Sequence, residues 1–220
     1  MTLATLRRKA RNGTLEVEDI LNAAVARCEG LADELEVMCV SCGWTNDGGM
    51  SGNGSRLIPF RKWAAVAIAY SRGGWQALVE LLRTSPDMHS FVYGLLEEAH
   101  DPGSLSVIIR GDGAVLADPS VDRQRAHRIA RAVNLLLSFP PWIEILEQDR
   151  VTLCAFLHQL VPLCSQDNER ACAILALRGV GDADSLKLLG TEKVLGGPWA
   201  DTIKVTTRSI RKRLRLNAAS

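Results

Sequence analysis

Residues 168–212 constrain the fold more than any other stretch. They read NERACAILALRGVGDADSLKLLGTEKVLGGPWADTIKVTTRSIRK. Ala171, Ala173, Ala176 and Leu177 recur at helical spacing, and Gly179-Val180-Gly181-Asp182 interrupts them. Leu186, Leu188 and Leu189 follow, and after a second glycine-bearing turn come Ile203, Ile210 and Leu214. Apolar residues three and four apart share one helix face, and glycine permits tight turns between helices. The pattern predicts helix, turn, helix, turn, helix. Small side chains on the first helix let a neighbour approach, and leucines fill the space between layers.

Composition extends this to the whole chain. Aromatic residues make up only 5% and hydrophobic residues 47%, with Ala and Leu abundant, which favours packed helices over a sheet sandwich. A length of 220 residues makes one large domain or two small ones, and either can bury a core. No run reaches the roughly 18 apolar residues of a membrane span. An apolar run such as 64–70 has the length of a core-helix segment. Arg7, Arg8, Lys9 and Arg11 are followed by no apolar segment of the signal-peptide type. Several of the six cysteines sit at apolar helical positions, so a reduced, cytoplasmic protein with no membrane contact is the expectation.

Thr14 is placed to cap a helix reaching Cys28, with Val17, Leu21, Ala24, Val25 and Cys28 on one face. Leu31, Leu35 and Met38 mark a second short helix. Residues 43–55 are rich in Gly, Asn, Asp and Ser and predict a mobile loop. The expected organisation is an N-terminal helical hairpin (1–42), a flexible Gly-rich loop (43–57) and a helical body (58–220). Residues 61–84 predict two helices broken at Gly73-Gly74, and residues 91–99 a third. Residues 104–117 read two ways: a short β-hairpin near 105–116 turning at Gly111-Asp112-Gly113, or a helical turn plus a loop. A helix over 123–138 ends at Pro140-Pro141, and residues 142–147 and 151–164 predict further helices, with Pro162 near the end of the last.

The 168–212 stretch resembles a HEAT-like repeat. Arg170 near the start of the first helix, the Gly-Asp turn and the Leu-rich second helix carry the resemblance. Two weaker echoes begin near residues 61 and 125, and the uneven starts depart from a regular repeat. The resemblance implies an all-α fold of stacked antiparallel helical hairpins, an α-solenoid. It also implies a broad surface for partner binding. One family of HEAT-like proteins consists of DNA alkylpurine glycosylases, which line a basic groove and use Trp, Tyr and Asp side chains near the lesion. Trp63, Tyr70, Trp75, Trp142 and Asp201 are stand-ins by residue type, but no local motif matches, and none carries over as catalytic.

Motifs for chemistry are sparse. Cys39-Val40-Ser41-Cys42 resembles one half of a zinc knuckle, with Cys28 as a candidate third ligand and a distant His89 or His100 as a fourth. Gly49-Met50-Ser51-Gly52-Asn53 misses the nucleophile elbow at its last position. There is no Walker-type phosphate loop and no HExxH. His89, His100, His127 and His158 share no spacing that builds a metal site. The expectation is therefore no enzyme, no cofactor and no metal.

Charge is more uneven than the net +1 implies. Residues 123–143 hold no acid and include Arg125 and Arg128. After Asp201 there is again no acid, and Lys204, Arg208, Arg211 and Arg215 are spaced four, three and four apart, on one helix face. These six cations are the candidate binding residues, against the alternative of a solvated face complementing the helix C-terminus. The function expected is a non-catalytic interaction module with a protein partner. The alternatives are a nucleic-acid-binding, glycosylase-like protein with a basic groove, and an immunity or regulatory protein that inhibits another protein.

Overall fold

Several helix starts in this chain fall where a side chain can hold the free amides of a first turn. The computed structural model describes residues 2–44, 49–50, 57–140, 143–195 and 197–217. Helix α1 (Leu3–Arg11) begins at Thr2, whose hydroxyl accepts from the Thr5 N–H at 3.3 Å. Helix α2 (Val17–Val25) begins at Glu16, in a capping box with Asp19. Thr14 is therefore not the cap the spacing predicts; its hydroxyl donates back to the Lys9 carbonyl. A reciprocal pair, Glu16 and Asp19, holds two amides where one threonine holds one.

Helix α3 (Leu31–Ser41) buries Leu31, Leu35 and Met38. A two-residue antiparallel pair, β1 (Gly49–Met50) with β2 (Leu57–Ile58), lies beyond it. Most of the 43–55 segment, for which the sequence predicts a mobile loop, lies outside the described residues. Helix α4 (Phe60–Thr84) is two helices joined across a kink at Gly74, where φ is 57° and ψ −148°. That backbone is open to glycine and strained for other residues, so the break expected at Gly73-Gly74 is present as a bend. Helix α5 (His89–Ala99) follows a short 3-10 turn. Contacts divide the chain into two units, Met1–Ala99 and His100–Ser220. Within the first unit α2 and α3 both pack on α4. Their apolar faces need the helix beyond the loop to be covered.

The second unit starts with α6 (Pro102–Gly111), capped by Asp101, and α7 (Gly113–Ala117). The β-hairpin reading near 105–116 is thus overturned. Leu105, Val107, Ile108, Val115 and Leu116 are buried from helical backbone, and Asp112 sits at the joint between α6 and α7. Helix α8 (Arg123–Ser138) is capped by Asp122, which accepts from the Arg125 N–H at 3.0 Å. Of the helix expected over 142–147, residues 143–146 are irregular and residue 142 is outside the described residues. Helices α9 (Glu147–Leu163), α10 (Asp167–Val180), α11 (Ala183–Leu195) and α12 (Ala200–Asn217) complete the unit.

The fold is all-α. In the second unit α10 packs on α8, α9 and α12, and α11 packs on α9 and α12. The close approach of α10 to α8 depends on Gly179: a Cβ there would lie 2.4 Å from the Leu137 Cβ. The Arg170 side chain ties three elements together. It donates to Glu192 on α11 at 3.0 Å and to the Cys164 carbonyl after α9 at 2.7 Å, and it covers the Trp199 ring at 5.1 Å. Leu177, Leu189, Ile203 and Ile210 are buried. Leu186, expected to join them, is only half-buried.

Candidate functional site

Helix α12 carries its side chains on two different faces. Ile203, Thr206 and Ile210 face inward, and the Thr206 hydroxyl donates to the Ile174 carbonyl of α10 at 3.3 Å. Arg213 also turns inward. Its guanidinium donates to the carbonyls of Arg178 (2.6 Å) and Gly181, satisfying the end of α10, and burial pulls its pKa below the usual arginine value. Lys204, Arg208, Arg211 and Arg215 remain exposed.

These four cations, with Lys212, line an open groove of about 1100 Å³ between α11 and α12. Its apolar lining is Leu186, Leu189 and Ile203, and Asp201 is its one carboxylate among the described residues. Leu186 is half-exposed because it lies in this groove and not in the layer beneath it.

The other two predicted cations are elsewhere. Arg125, in the first turn of α8, is mostly buried and ion-paired with Asp112, whose side chain is fully buried. Its charge is paired at the joint between α6 and α7. Arg128 is half-buried on the same helix, and neither residue lines the groove. The aromatic stand-ins serve as packing in the first unit. Trp63 meets Phe91 edge-on at 4.9 Å, and Tyr70 lies 4.8 Å from Trp75. Trp142 is outside the described residues, and Asp201 is exposed in the groove.

A second constellation went unread in the sequence. Cys154 and His158 are four residues apart on α9, so they share a face. Asp182 and Ser185 open α11 and form a reciprocal cap: the Asp182 carboxylate accepts from the Ser185 N–H, and Ser185 Oγ accepts from the Asp182 N–H, each at 2.9 Å. The packing of α11 on α9 brings the two pairs together. Ser185 Oγ lies 2.6 Å from His158 Nε2, 3.5 Å from Cys154 Sγ and 3.1 Å from Asp182 Oδ1. Cys154 Sγ is 3.5 Å from His158 Nε2, which is 3.8 Å from Asp182 Oδ1.

Cys154 and Ser185 are buried, while His158 and Asp182 are partly open to solvent. Burial pushes the Cys154 thiol up, against the hydrogen bond from Ser185. Burial also opposes ionisation of Asp182, but its bonds from Ser185 and the nearby His158 outweigh that and hold the carboxyl below its usual range. This is no Ser-His-Asp relay. In such a relay serine and aspartate engage opposite ring nitrogens of the histidine, and here both face Nε2. The sequence did hold a signal, Cys-x3-His on a helix, but its partner lies 24 residues beyond His158 and is recruited only by packing.

Compared with protein-family models, with curated proteins and with solved structures, the chain shows no match.

Proposed function

We propose that this protein is a non-catalytic recognition module whose α11–α12 groove binds an acidic, amphipathic helical segment of a partner protein. One observation carries the reading. Leu186, Leu189 and Ile203 form an apolar lining, and Lys204, Arg208, Arg211, Lys212 and Arg215 line the same groove. An amphipathic helix laid into a groove buries an apolar stripe, and acidic residues beside that stripe meet the cations. Charge complementarity of this kind selects the partner and speeds encounter. A nucleic-acid strand would use the cations but leave the apolar lining without a role. No aromatic side chain among the described lining residues offers a base a stacking platform.

The HEAT-like solenoid remains part of this proposal. Support comes from the contact order: α8, α10 and α12 meet in succession, α9 meets α11, and α9 with α10 and α11 with α12 also meet across their turns. That is the two-layer order of stacked hairpins. Cytoplasmic placement is supported by six free cysteines, and no described helix is long and apolar enough to cross a membrane.

The test is binding of a labelled acidic amphipathic helical peptide to the full chain at several salt concentrations. A 20-base-pair duplex serves as competitor. Saturable peptide binding that Arg208→Ser with Arg211→Ser weakens at least tenfold is expected, with the salt effect mainly in the association rate. Duplex binding that excludes the peptide, with a steep log–log salt slope, would transfer the groove to nucleic acid. Wild-type affinity in the double variant would leave the stripe as solubilising charge.

A further inference from the structure

We infer that Cys154, His158 and Asp182 form a binding site for a zinc-class divalent cation, with the Ser185 hydroxyl at the fourth corner. The inference is independent of the groove reading. The donor set is soft-to-borderline: one thiolate, one imidazole and one carboxylate, the types that zinc takes in mixed sites. Their ligand atoms all lie within 4.8 Å of one another.

The separations among Cys154, His158 and Asp182 approach those around a tetrahedral ion, and Ser185 Oγ, 2.6 Å from His158 Nε2, must draw back by about 0.7 Å to take the fourth corner. Metal–sulfur and metal–nitrogen bonds of about 2.3 and 2.0–2.1 Å place those two atoms about 3.5–3.6 Å apart, and Cys154 Sγ and His158 Nε2 are 3.5 Å apart. Nitrogen and carboxylate oxygen ligands stand about 3.4 Å apart around such an ion. The 3.8 Å from His158 Nε2 to Asp182 Oδ1 therefore asks for a closure of a few tenths of an ångström.

One outer partner of the kind metal sites use is also in place. The Ser185 N–H orients the Asp182 carboxylate at 2.9 Å, and the i,i+4 spacing orients Cys154 and His158 from one rigid helix. In the metal-free protein the Ser185 hydroxyl serves His158 Nε2. On metal binding it can rotate to Asp182 Oδ1, 3.1 Å away, freeing the imidazole nitrogen. The Cys154 S–H proton passes to solvent as the sulfur–metal bond forms, so thiolate and carboxylate together neutralise the dication. The Arg213 guanidinium, bonded to the carbonyl of Gly181, adds one positive charge beside this neutral set. The consequence is a cross-link between α9 and the first turn of α11.

Cobalt(II) is the probe, because thiolate ligation gives it a charge-transfer band and tetrahedral geometry gives it intense visible bands. The chelator-treated full chain should bind one equivalent with both signatures, and zinc should bleach them. Cys154→Ser should abolish the charge-transfer band. His158→Gln and Asp182→Asn should each weaken binding by more than about tenfold, since losing even an outer partner costs about 10–100-fold. The Cys39→Ser, Cys42→Ser double variant should bind as wild type. If Cys154→Ser fails to fold by circular dichroism, the His158 and Asp182 variants carry the test, because both side chains are partly exposed. A folded wild type with no thiolate band overturns the proposal. So does a band that survives in Cys154→Ser, or one lost in the Cys39, Cys42 variant.

Discussion

Arg125 separates the recognition reading of the basic segment from its structural one. Its guanidinium meets Asp112, whose side chain has no exposure, while 16% of its own side chain is exposed. The pair pins the joint between α6 and α7 to the first turn of α8. Arg125→Ala removes one charge and leaves the other buried. Breaking a buried pair in this way costs about 3–5 kcal/mol, because the remaining charge keeps its desolvation penalty without its attraction. For a unit of this size that lowers the melting temperature by about 10–20 °C.

Arg125→Met combined with Asp112→Leu removes both charges and should recover most of the loss, since an apolar pair of similar volume is often neutral. Urea unfolding followed by far-ultraviolet circular dichroism, run on both single variants and the double, measures the coupling directly. The reasoning fails if Arg125→Ala shifts stability by less than about 1 kcal/mol. It also fails if Arg125→Ala, at unchanged stability, loses affinity for the acidic peptide. That outcome would return Arg125 to the recognition surface.

Leu177→Ala, fully buried on α10, should cost about 2–5 kcal/mol in urea unfolding. Leu186→Ala should cost under about 1 kcal/mol, its half-exposed side chain leaving no closed cavity, yet weaken peptide binding. Gly74→Ala should destabilise by about 1–3 kcal/mol through backbone strain alone, because nothing lies within 4 Å of the added Cβ. Burial pushes the Cys164 thiol up to about 12, so a thiol reagent should label exposed Cys42 quickly and Cys164 only as the protein unfolds. By linkage, the stability held by that neutral thiol is full below about pH 8.5, the unfolded value, and is lost as pH climbs toward 12. Urea midpoints measured across that window check the sign.

Local chemistry was legible without a structure. The 3.6-residue spacing of Ala173, Ala176 and Leu177 specified a helix, the turn read over residues 179–182 placed its end two residues early, since α10 continues through Val180, and Gly73-Gly74 specified the bend in α4. The spacing of Lys204, Arg208, Arg211 and Arg215 specified a shared face. Periodicity reports which residues share a face, because it is set by the backbone of one element. It does not report what that face meets. Whether Arg125 faces solvent or Asp112 depends on where the joint between α6 and α7 lies against α8. Whether Leu186 fills the core or borders a groove depends on the gap between α11 and α12. Valines and isoleucines around Gly111-Asp112-Gly113 suit either a hairpin or two short helices, and packing in the second unit selected the helices. The Cys154, His158, Asp182 and Ser185 cluster shows the same division. Each half is a local motif, an i,i+4 pair and a reciprocal cap, but only the docking of α11 on α9 places four heteroatoms of distant sequence within bonding reach.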